Sequence, residues 1–156
     1  MTRTVAREIA LQLCFAASSA DLEPNDLLEE FFGEEHYASL AGEQELFAER
    51  PDERQMEYIR SLLKLVSEHR EELDEYIARY ARGWKPERIS RTALATLRCA
   101  LCEILYMDDI PNAAAINEAI EIDKKYDEPD TVAFVNGVLG GFMRGEFSAD
   151  AEPAQE

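Results

Sequence analysis

Apolar residues recur along this chain at steps of three and four, and no stretch shows the strict alternation of a half-buried strand. Val5, Ile9, Leu13 and Ala16 form one stripe over residues 5–16, with Thr2 or Thr4 placed to cap the helix they predict. The turn "LEPND" leads into a short helix in which Leu27, Leu28, Phe31 and Phe32 need a partner; Asp26 suits its cap and Gly33 its end. From about 34 to 52 the pattern weakens and turns acidic, which predicts a mobile insertion or a short surface helix. Met56, Ile59, Leu63, Val66, Leu73, Ile77 and Tyr80 then restore the helical step, apart from a polar gap at 67–71. Two helices or one kinked helix would both fit.

Gly83 stands where a C-terminal cap belongs and Pro86 where a first helical turn begins, so "RGWKPER" reads as a tight connection. Ile89, Leu94, Leu97, Leu101, Ile104 and Leu105 make the broadest apolar stripe in the chain and predict a central helix. A further helix follows over 113–126, with Asn112 as its cap, and Asp130 or Thr131 caps the last one. That last helix carries "FVNGVLGG", in which each interior glycine costs about 1 kcal/mol relative to alanine. Gly137 and Gly140 are expected to offset this by letting the helix lie close against 113–126, with Asn136 and Asn117 exchanging hydrogen bonds or capping nearby backbone. The class is all-α, with six or seven helices.

Charge changes the picture in one respect. The formal net charge of −17 argues against nucleic-acid binding by bulk electrostatics. Yet residues 21–57 hold 13 acids against Arg50 and Arg54, whereas 79–98 hold six basic residues and one acid, Glu87. A local basic surface survives. Cys14, Cys99 and Cys102 lie within apolar helical patterns, which suits reduced core thiols, and a metal or redox role for the C-x-x-C at 99–102 lacks further ligands or a helix N-terminus. No segment has the length of a membrane span or the apolar core of a signal peptide, so a cytoplasmic protein without membrane contact is expected.

The runs "WKPERI", "LRCALCEIL", "DIPNAAAINEAIEIDKKYD" and "FVNGVLG", in this order, together with "AREIALQLCF" near the start, resemble the NusB family of bacterial transcription antitermination factors. The resemblance covers roughly residues 3–144. It implies two packed helical bundles over 1–147, and it misses only the acidic insertion at about 34–52 and the acidic tail at 148–156, which is expected to be disordered. It implies a non-enzyme without cofactor or metal that binds the boxA element of nascent ribosomal RNA leader. Its partners would be a small-subunit ribosomal protein and the antitermination complex of RNA polymerase. The rivals are a protein-interaction or dimerisation module, with a homodimer as one form, and a stand-alone relative of the NusB-like domain of ribosomal RNA methyltransferases.

Seven residues are the RNA-binding candidates. Arg3 and Arg7 lie four apart, on one face of the first helix near the positive end of its dipole. Arg88, Arg91 and Arg98 recur at steps of three and seven and are expected to share a face that extends a phosphate track. Phe15 and Asp130 match positions that border the RNA surface in the family. Ala93 and Leu94 stand where the family commonly has an acid followed by a base, at the expected contact with the ribosomal protein.

Overall fold

The computed structural model describes residues 1–20 and 22–155, with the backbone alone for 19, 20, 86 and 148–155. Its described residues form eight α-helices and no strand, in two compact units, Met1–Glu68 and His69–Glu156. The acidic tail expected to be disordered at 148–156 lies outside the residues whose side chains are described. No helix among the described residues is long and apolar enough to cross a membrane.

The first unit contains α1 (Arg3–Ala20), α2 (Pro24–Phe31), α3 (Glu34–Ala41), a single 3-10 turn (Glu45–Phe47) and α4 (Glu53–Glu68). The Thr2 hydroxyl accepts a hydrogen bond from the Val5 amide at 3.1 Å and so caps α1. Ile9 and Leu13 are buried as their spacing predicts, and Ala6, Ala10 and Leu11 join them. Opposite lies the apolar face of α4, with Ile59, Leu62, Leu63 and Val66 buried. Asp26 does not cap α2. The helix begins two residues earlier with Pro24 at its first turn, where a missing N–H costs nothing, and Asp26 complements the helix dipole from inside that turn.

The acidic stretch 34–52 is folded: of the two alternatives, a mobile insertion or a short helix, α3 is the helix, although its Tyr37 is buried rather than on the surface. Tyr37 and Phe47 are each only 2% exposed and meet Phe31 and Phe32 in an aromatic cluster; the rings of Phe32 and Tyr37 stack at 5.2 Å. Arg50 closes the cluster. Its guanidinium donates to the Phe32 carbonyl at 2.9 Å and lies 5.1 Å above the Tyr37 ring, while the Tyr37 phenol donates to the Glu49 carbonyl at 2.6 Å. Tyr37 and Phe47, ten residues apart among acids, carry no helical period, so only their convergence in space with Phe31 and Phe32 reveals the core they make.

The second unit contains α5 (Arg70–Tyr80), a 3-10 turn (Pro86–Arg88), α6 (Arg91–Tyr106), α7 (Asn112–Asp123) and α8 (Pro129–Gln155). The polar gap in the sequence is therefore a break between helices. Helix α6 is central: Ala95 through Ile104 are all buried, and α5, α7 and α8 pack around it. Cys99 and Cys102 lie within that buried run and form no disulfide. Ser90 caps α6, accepting from the Ala93 amide at 3.0 Å. Asn112 is already helical, with Pro111 at the cap position and no side-chain cap bond. Asp130 likewise lies inside the first turn of α8 rather than capping it.

The glycines of α8 do not act as expected. A Cβ added to Gly137 would meet nothing within 4 Å, and one on Gly140 would meet only the guanidinium of Arg144, at 3.2 Å. The close approach occurs further along and against α5. A Cβ at Gly141 would sit 3.3 Å from the Tyr80 ring, and one at Gly145 would collide with the Tyr80 phenol. Asn117 and Asn136 are exposed and do not bond to each other. The bundle reserves its bare backbone for a tyrosine, because α5 crosses α8 there.

Candidate nucleic-acid interface

In the first unit, Arg3 is exposed at the first residue of α1. Arg7, one turn on, is only 8% exposed, and its guanidinium lies 5.9 Å from the centre of the Tyr58 ring. The two arginines therefore do not form an open anion site. Burial separates them: the face that carries Arg7 also carries part of the core, whereas Arg3 precedes it. Phe15 is half-buried.

In the second unit, Arg88 and Arg91 are both exposed, but Arg88 belongs to the 3-10 turn and Arg91 opens α6. The shared face expected for Arg88, Arg91 and Arg98 is not formed, because the α-helical period does not extend back to Arg88. Arg98, 6% exposed, turns inward and holds Asp74 through two bonds, Nε at 2.7 Å and Nη2 at 2.9 Å. Such a bidentate pair fixes the guanidinium plane. Asp130 is exposed at the start of α8. Ala93 is fully buried and Leu94 half-buried, so the start of α6 offers little apolar surface.

Two features of this unit escaped the sequence reading. Trp84, 40% exposed, follows Gly83, whose φ of +80° makes the turn, and packs on Phe134 of α8 with ring centroids 4.4 Å apart. Beside it opens a hollow of about 600 Å³ lined by Tyr80, Arg82, Trp84, Phe134, Gly137 and Arg144. The one sequence signal was the chain's single tryptophan sitting within its most basic stretch.

The second feature is acidic. Asp123 has no exposure, and its Oδ2 and that of the neighbouring Asp127 are both buried without a hydrogen-bond partner. Thr96 donates to Asp123 at 3.4 Å and Ser90 to Asp127 at 3.0 Å. Burial, and then Asp127, push the Asp123 carboxyl up to about 7. Among the described residues, no group of three or more His, Cys, Asp or Glu side chains could hold a metal ion.

The NusB family model matches residues 4–144. The transcription antitermination protein NusB of Symbiobacterium thermophilum is 37% identical over 145 residues, spanning 93% of this chain and 91% of that protein. Its counterpart in Thermoanaerobacter sp. is also 37% identical, over 97% of both chains. Among solved structures, NusB of T. maritima superposes with a TM-score of 0.74 at 28% identity, covering 92% of each chain. A crystal structure of the antitermination factors NusB and NusE in complex with dsRNA shares the fold, with a TM-score of 0.72 at 20% identity, covering 92% of this chain and 96% of that one.

Proposed function

This chain belongs to the NusB family of transcription antitermination factors, and from that premise we propose that it is an RNA-binding adaptor. It takes the boxA element of a nascent ribosomal RNA leader jointly with a small-subunit ribosomal protein. The family is non-catalytic, so its task is to hold rather than convert. The observation that carries the proposal is the family match over residues 4–144. The solved NusB–NusE complex with RNA supports the same kind of partnership.

The exposed Arg3, Arg88 and Arg91 are the phosphate contacts in this reading. Arg7 and Arg98 act differently, as buried cations that position their helices. Phe15 offers an aromatic edge to an unstacked base, and Asp130 an acceptor for a base amine. With few open cations on an acidic chain, binding to RNA alone is weak and the ribosomal protein strengthens it through linked equilibria.

Titration of labelled boxA-type RNA, with and without the ribosomal protein and at two salt concentrations, tests this. Selective, salt-sensitive binding that the partner enhances is the expected result. No RNA binding in either condition would leave a protein-interaction module, which the net charge of −17 otherwise favours.

A further inference from the structure

We propose that the hollow between Trp84 and α8 is a nucleotide subsite, in which an unstacked base lies on Trp84 and its flanking phosphates meet Arg82 and Arg144. The proposal rests on the RNA-binding reading above and adds to it a site that none of the seven sequence candidates touches.

Gly137 provides the first argument. It lies in the middle of α8, is exposed, has no positive φ and would meet nothing within 4 Å if it carried a Cβ. A glycine there weakens the helix with no internal packing to compensate. What its missing side chain does achieve is a bare floor for the hollow. Gly140 extends the effect, since the Arg144 guanidinium lies back along the helix in the space its side chain would fill.

The walls provide the second. Trp84 is braced by Phe134, itself only 7% exposed, so that the indole is held rather than free to turn. Tryptophan is the largest stacking surface available to a base. Arg82 and Arg144 are exposed and make no ion pair among the described residues, whereas nearby Arg79 is bound to Glu146 at 2.9 Å. On a chain of net charge −17, two uncommitted guanidiniums in one hollow are a local exception. The volume of about 600 Å³ suits a nucleotide. A planar platform with cations on either side fits a base and its phosphates better than an acidic peptide, which has charge without rings.

The chain contains one tryptophan, so its fluorescence reports on this hollow alone. The experiment titrates the full chain with a short unstructured boxA-type RNA. Indole emission is followed alongside an independent binding assay, with heparin and an acidic peptide as base-free polyanions. Saturable quenching by RNA but not by the other two is expected. Gly137→Glu, at a site with room for the side chain, should keep its melting temperature, abolish the quenching and weaken RNA binding about tenfold or more. Arg82→Ala with Arg144→Ala should lower the slope of log K against log salt by about 1.4.

RNA that binds Gly137→Glu as tightly as wild type, without quenching Trp84 in either, would overturn the subsite and leave the adaptor standing. Equal quenching by the acidic peptide would make the hollow a protein-docking site and overturn it too. A wild-type chain that binds no RNA with or without the ribosomal protein would remove both readings.

Discussion

Asp123 and Asp127 face each other at the end of α7, where Asp123 has no exposure at all and the Oδ2 atoms of both are buried without a hydrogen-bond partner. Two carboxylates in such contact cannot both ionise cheaply, so the pair holds a proton that ordinary aspartates release near 3.8. The folded chain therefore binds more protons than the unfolded chain between about 4 and about 7, and stability falls as pH rises through that range. Asp123→Asn keeps the shape of the side chain and offers an amide donor in place of the charge. It should flatten the pH dependence and stabilise the protein at pH 8 by on the order of 2 kcal/mol. Urea melts of both proteins at pH 5 and pH 8 check this, and an unchanged slope in the variant would count against the shared proton.

The glycines of α8 should respond in opposite directions to the same substitution. Gly137→Ala fills open space on a helix and should raise stability by up to about 1 kcal/mol. Gly145→Ala drives a methyl into the Tyr80 phenol, which Glu146 holds in place, and should cost about 1–3 kcal/mol. Thermal denaturation of the two variants beside wild type decides it.

Asp74→Ala leaves the buried Arg98 without its carboxylate. Because Asp74 is itself partly exposed, water can reach one side of the pair, and the loss should be about 1–3 kcal/mol rather than that of a fully buried break. Arg98→Lys should lose a similar amount, since an ammonium cannot hold both oxygens at once. Denaturant midpoints measured on both variants would show whether the second bond matters.

Arg88→Ala and Arg91→Ala should leave the fold unchanged, both side chains being exposed. If they contact phosphates of single-stranded RNA, each should lower the salt slope of binding by about 0.7 and weaken all sequences alike. A loss of selectivity between boxA-type and scrambled RNA would instead assign them to base contacts.

Arg50→Ala tests whether the acidic stretch is held as the structure has it. Losing the bond to the Phe32 carbonyl and the cation over Tyr37 should cost about 1–2 kcal/mol. Faster amide exchange confined to 34–47 would be its signature.

Helix class, the central place of α6 and the family resemblance were legible in the chain alone, because a buried helix writes its period into consecutive residues and a motif is local by nature. The turn at Gly83 was legible for the same reason, whereas the polar gap at 67–71 left two helices and one kinked helix equally open. Periodicity could not show that Tyr37 and Phe47 join Phe31 and Phe32, that Arg98 turns inward to Asp74, or that Tyr80 claims the bare backbone at Gly141 and Gly145. Nor could it show that Gly137 faces open space beside Trp84, or that Asp123 and Asp127 are brought together with their Oδ2 atoms buried. Each of these depends on where two segments distant in sequence, or two turns of backbone, meet in space. Burial, the cost of a charge and the room for a methyl group are set by that meeting and by nothing in the local pattern.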